Sequence, residues 1–222
     1  MRATKAALRT CLARSMFVGM DSQSAMSARA GPERENKIIV IGCSRGGLSA
    51  LTEVLQGLPV DLPAAIVVVQ HLSPTHESRL ADILNERVRL PVHTAAQGKR
   101  LEPGHVYVAP ENQHITINEH GRIRLDGSAR VNFSRPAVDR LFDSVATSFG
   151  ERAIAVILTG WGKDGAVGAA AITRCGGVVI VQDEESSQDF GMARATIAGG
   201  GKTTVLPLPE IAGHLITLAA TA

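Results

Sequence analysis

Aromatic residues are scarce, at 3% of the 222-residue chain, which argues against a base-stacking surface for nucleic acid. Cysteines are fewer still. Cys11, Cys43 and Cys175 are odd in number and irregular in spacing, so they suggest no disulfide framework, and a reducing cytoplasm is the expected setting. No apolar run approaches the roughly 20 residues that a membrane span requires, so no membrane insertion is expected. Neither sign of charge dominates. The net charge is +2, and nothing global demands a nucleic-acid partner. His76, His93, His105, His114, His120 and His214 stand in no metal-binding spacing with a cysteine or carboxylate. No metal and no cofactor are expected.

What the chain does have is apolar sequence, 45% of the total, enough for one buried core. Its 22 glycines recur at the ends of apolar runs, as turns between strands and helices require. The first 36 residues stand apart: Arg2, Lys5, Arg9 and Arg14 all precede the first acid, Asp21. That composition fits a disordered basic leader, a start placed too far upstream (Met20 and Met26 are alternatives) or a transit peptide. Residues 37–222 read as one α/β domain.

Lys37–Ile41 and Ala65–Val69 are short, β-branched and nearly continuous, as strands buried on both faces are. A helix follows each, the first carrying Leu48, Leu51, Val54, Leu55 and Leu58 and the second running from about Pro74 to Asn85. Strand, helix, strand, helix predicts parallel βαβ units. Short strands at Val106–Pro110, His114–Ile117 and Ile123–Leu125, with a turn at Asn118–Gly121, predict an antiparallel appendage. A helix over Pro136–Phe149, a strand over Ala153–Leu158, a helix over Ala166–Thr173 and a strand over Val178–Val181 come next. Two helices, Phe190–Ala198 and Pro209–Ala219, complete the reading.

Ligands of open parallel sheets bind beyond the carboxyl ends of the strands. Three strand ends carry reactive side chains: Ser44, His71 and Asp164. Gly42-Cys43-Ser44-Arg45-Gly46 fits a nucleophile elbow between strand and helix. It fits equally well a tight turn with Ser44 as helix N-cap. A phosphate-binding loop is a third reading, though neither a Gly-Lys-Ser/Thr ending nor a Gly-x-Gly-x-x-Gly spacing is present. His71 is either a structural histidine or the base that a serine nucleophile needs. Asp164 either caps the helix after it or orients the imidazole. The chain order Ser, His, Asp differs from the common orders of such triads. Cys43 reads as a small packed side chain, and Arg45 as a surface charge or an attractor of an acidic substrate.

Ile41–Gly47, Gln70-His71, Gly104–Pro110, Ser134–Asp139, Ile157–Gly165, Gln182-Asp183 and Phe190–Arg194 stand in the order found in chemotaxis protein-glutamate methylesterase catalytic domains (CheB-type). The chain resembles that family over nearly all of 37–219. The resemblance implies a doubly wound, mostly parallel sheet with helices on both faces and a small antiparallel edge hairpin. It implies a serine carboxylic-ester hydrolase acting on glutamate γ-methyl esters of chemoreceptor cytoplasmic helices. Some members also deamidate glutamine. It maps the catalytic triad onto Ser44, His71 and Asp164, and it places Arg45 and Trp161 at the site, near the oxyanion. The family usually has Thr or Ala where Arg45 stands, and often Met where Trp161 stands. These departures bear on substrate choice, so a same-fold esterase acting on another protein or a small ester is the alternative. The leader is too short to be the receiver domain of two-domain members, so a separate signalling regulator is the expected partner.

Overall fold

The computed structural model describes residues 36–71 and 78–221. The expected basic leader, apart from Asn36, and the start of the helix expected from Pro74 lie outside the described residues. Seven strands form the main sheet, in the order β3-β4-β2-β1-β7-β8-β9, and every neighbouring pair is parallel. These are β1 (Lys37–Cys43), β2 (Ala64–Gln70), β3 (Val92–Thr94), β4 (Val106–Val108), β7 (Ala153–Ile157), β8 (Val178–Gln182) and β9 (Thr204–Leu206). The helices are α1 (Gly47–Gln56), α2 (Leu80–Asn85), α3 (Val138–Phe149), α4 (Ala166–Arg174), α5 (Gly191–Ala198) and α6 (Leu208–Ala220).

β1 shows why the sequence reads as it does. Ile39, Ile41 and Cys43 join one apolar layer with α1, α2 and α6, while Ile38 and Val40 join the other with α3, α4 and α5. A strand covered on both faces has no polar alternation to show. α3 is amphipathic instead. Val138, Leu141, Phe142 and Val145 lie on its buried face, where a side chain of Phe142's size contributes roughly 1.5–3 kcal/mol relative to exposure.

The structure corrects the reading of the middle region. β4 is not part of an antiparallel appendage; it lies in the main sheet, parallel to both β2 and β3. The antiparallel pair consists of β5 (His114–Ile117) and β6 (Ile123–Asp126) alone. This hairpin is a separate small sheet and not an edge of the large one. It packs on α3, where the Ser144 hydroxyl accepts from the Ile117 amide (3.1 Å) and the Ser148 hydroxyl donates to the Ile117 carbonyl (3.1 Å). β3 and β9 were not foreseen. Among the described residues, no helix is long and apolar enough to cross a membrane.

Candidate active site

The strand order reverses at β1, which has β2 on one side and β7 on the other. In doubly wound sheets the crevice at such a reversal receives the ligand. Cys43 and Gln70 are register partners across β1 and β2, so the next residues, Ser44 and His71, leave the sheet side by side. The backbone fixes both. The Ser44 amide donates to Thr159 O (3.0 Å), and the His71 amide donates to Cys43 O (3.1 Å).

The turn after Ser44 depends on glycine. Gly46 has φ 77, in the left-handed region where a β-carbon is disfavoured. Gly46 also occupies the N-cap of α1 and offers no side-chain cap, so Ser44 is not the N-cap of that helix. Gly160, beyond β7, lies against the serine: a β-carbon there would come within 2.9 Å of Ser44 Cβ. Ser44 is partly exposed, and Arg45 beside it is exposed.

Asp164 is 3% exposed and accepts from four donors. His71 Nε2 lies 2.7 Å from its Oδ2. The Val138 amide also donates to Oδ2 (2.7 Å), the Asp139 amide to Oδ1 (3.0 Å), and Asn132 Nδ2 to Oδ1 (3.4 Å). Asp164 therefore caps α3, an element distant in sequence, rather than the helix that follows it. The N-cap of that helix, α4, is Gly165, again without a side-chain cap. Burial pushes the Asp164 carboxyl up, but the His71 hydrogen bond and the two amides outweigh it and hold the group below the usual carboxylate range.

Sequence reasoning missed a second buried acid. Asp139, in the first turn of α3, accepts the Gly165 and Gly168 amides of α4 (3.0 and 2.8 Å). Asn132 Nδ2 donates to its other oxygen (2.8 Å). The two aspartates thus cap each other's helices, with Asn132 reaching both. Apart from its place in the Ser134–Asp139 motif, its sequence signal was an acid in a first helical turn, which ordinarily means a favourable interaction with the helix dipole. Burial, and then the Asp164 charge, push Asp139 up to about 6, against the three hydrogen bonds it accepts.

That shift has a sign. An acid whose folded pKa is raised holds its proton in the folded state while the unfolded chain has already lost it. Its contribution to stability is full below the unfolded pKa of 3.8 and disappears as pH rises through about 6. At roughly 1.4 kcal/mol per pKa unit the upper bound is about 3 kcal/mol. Urea unfolding of wild type and Asp139→Asn at pH 4 and pH 7 measures this: wild type loses stability relative to the variant on going to pH 7. A difference that stays constant with pH excludes Asp139 as the titrating group.

Trp161 stands at 76% exposure on the loop after β7, between Gly160 and Gly162. Burial pushes the Cys43 thiol up, which leaves it protonated and a poor nucleophile. The other described histidines lie elsewhere. His93 and His105 stack on each other at the β3–β4 side (Nε2 to Nδ1 3.0 Å), and His114 is buried in the hairpin. Among the described residues, no group of three His, Cys, Asp or Glu side chains could hold a metal ion.

Comparisons with known proteins bear on the family and the fold. The family model described as CheB methylesterase matches residues 39–215. The protein-glutamate methylesterase/protein-glutamine glutaminase 2 of Pseudomonas aeruginosa is 43% identical over 187 residues, covering 83% of this chain and 53% of that protein. Its namesake from Anaeromyxobacter dehalogenans is 44% identical over 184 residues, covering 82% and 54%. The chain thus spans about half the length of the curated relatives it matches. The crystal structure of the Thermotoga maritima CheB methylesterase catalytic domain superposes with a TM-score of 0.78 at 41% identity, covering 82% of this chain and 98% of that one.

Proposed function

The chain belongs to the CheB methylesterase family, and from that membership we propose that it hydrolyses glutamate γ-methyl esters on chemoreceptor cytoplasmic helices, with Ser44, His71 and Asp164 as its triad. The observation that carries the reading is the 2.7 Å contact between His71 Nε2 and the buried Asp164, made by a histidine adjacent in register to Ser44. Asp164 accepts from two backbone amides as well, which fixes it as an acceptor and places the imidazole proton on Nε2. Nδ1 then remains the basic nitrogen.

Ser44 Oγ attacks the ester carbonyl while its proton passes to His71 Nδ1. The tetrahedral oxyanion collapses, His71 returns the proton to the leaving oxygen, and methanol departs from a glutamyl-Ser44 ester. Water, deprotonated by His71, then frees the carboxylate. The Ser44 and Gly160 amides are committed to Thr159 O and Asp189 O. The Arg45 and Trp161 amides are therefore our candidates for the oxyanion, each donor worth roughly 3 kcal/mol in the transition state. Glutamine deamidation follows the same route, with ammonia as the leaving group. The reaction belongs to the cytoplasm, where these receptor helices lie, with a separate signalling protein as regulator.

Methanol release from methylated chemoreceptor membranes tests the proposal. Release by the purified chain supports it. A folded chain that releases no methanol but cleaves small esters would move the substrate to the alternative, a same-fold esterase of other specificity.

A further inference from the structure

The exposed apolar side chains are unevenly placed. Among the described residues the three most exposed large ones are Phe133 at 96%, Trp161 at 76% and Val167 at 69%. Trp161 and Val167 flank Asp164 in sequence, and Phe133 lies on a turn that reaches it through Asn132. Phe133 follows Asn132, whose amide reaches Asp164. Trp161 follows Gly160, which lies against Ser44. Val167 lies in the first turn of α4, three residues past Asp164. The other described aromatics, Tyr107, Phe142, Phe149 and Phe190, are buried or half-buried.

Phe133 is held in the open against its own backbone preference. The Val131 amide donates to Ser134 O (3.1 Å) and the Ser134 amide to Val131 O (2.9 Å). They close a two-residue turn in which Asn132 has φ 49 and Phe133 φ 65. Such turns favour glycine at the second position, and a bulky side chain there is strained. Strain of this kind concentrates at functional sites.

We propose that Phe133, Trp161 and Val167 form a docking surface for an amphipathic, acidic helix of the substrate protein, which presents its esterified glutamate to Ser44. The proposal rests on the protein-glutamate methylesterase reading of the site. The apolar stripe of the helix packs on the two aromatics, and its acidic flank meets Arg45 and Lys163, both exposed and each adjacent in sequence to a triad residue. Residues three and four apart share a helix face, so one turn supplies the ester and the next supplies the anchors. Charge selects this occupant over two others. The chain's own first residues carry Arg2, Lys5, Arg9 and Arg14 before any acid, and a symmetric second copy would set Arg45 and Lys163 against themselves.

The test uses the whole chain and Phe133→Gly, which removes the aromatic ring and relieves the turn. Both proteins are assayed on a methylated chemoreceptor cytoplasmic fragment and on a small nitrophenyl ester. The variant is expected to raise KM for the receptor fragment by roughly tenfold or more, as loss of an aromatic anchor does, while small-ester kcat/KM stays within about twofold. Its melting temperature stays at or above that of wild type. A purely structural role for Phe133 would leave the receptor KM unmoved, and that result overturns the docking surface alone. Wild type that cleaves the small ester but not the receptor fragment removes the methylesterase reading and the docking surface together. A dimer in sedimentation that Phe133→Gly disperses would assign the patch to a second copy and overturn the proposal.

Discussion

Ser44→Ala is expected to lower kcat/KM for the methyl ester by on the order of 10⁴–10⁶-fold, the range seen when the nucleophile of a cooperating triad is removed. Stability should hardly change, within about 0.5 kcal/mol. The bonds that fix this position run through its backbone: Ser44 donates to Thr159 O, and Gly47 donates to Ser44 O. Alanine keeps both. The neighbouring thiol supplies the control. Cys43 is fully buried and packs beneath Gly47, where a β-carbon would come within 2.8 Å of its sulfur. Cys43→Ala should therefore cost stability and little rate. Steady-state methanol release beside urea unfolding reads both variants. A Ser44→Ala protein that kept more than about a hundredth of the wild-type rate would exclude acyl-enzyme chemistry at this serine.

Asp164→Asn is expected to fail in both respects. Each carboxylate oxygen already accepts two donors: His71 and Val138 on Oδ2, Asp139 and Asn132 on Oδ1. An amide turned either way sets its NH₂ against an N–H. With the NH₂ on the His71 side, the imidazole must shift its proton to Nδ1 and lose its basic nitrogen. A rate loss on the order of 10⁴-fold follows from the wrong tautomer. Leaving buried donors at the start of α3 unmet should cost roughly 1–3 kcal/mol. pH adds a further signature. A carboxyl held low in the folded state gives stability that is present above its unfolded pKa and lost as pH falls through the folded one. The variant lacks that acid-side loss. Calorimetric unfolding from pH 3 to 7 checks this, and parallel curves for wild type and variant would show that Asp164 is not the stabilising acid.

Much of the site was legible because β1, β2 and β7 are covered on both faces. Such strands are continuous apolar runs, and the first polar residues beyond them mark one end of the sheet. Ser44 and His71 stand directly beyond β1 and β2, whereas Asp164 lies farther on, past Thr159 in the loop after β7. β3 and β9 escape that rule. Only Val92 of β3 is buried, and β9 has no buried residue, so neither presents a run. β4 is three buried residues, Val106, Tyr107 and Val108. That is the mark of an interior parallel strand, and the proximity of a genuine hairpin obscured it. Asp139 and Asn132 were invisible for another reason. Their role depends on the N-terminal ends of α3 and α4 lying side by side, and no local pattern around Ser134–Asp139 records which helix lies opposite. Phe133 has no signal in the local sequence, because only the turn that holds it sets it apart.

The exchange of caps between Asp139 and Asp164 bears on when the molecule becomes competent. During synthesis α3 emerges well before residue 164, so its leading amides wait for a partner that does not yet exist. When the segment after β7 arrives, a single carboxylate closes that helix and accepts the imidazole N–H in the same docking event. A molecule in which α3 has pulled away has also released the acid that orients His71. On the proposed triad, half-assembled molecules are therefore silent ones, and turnover itself reports that the domain is whole.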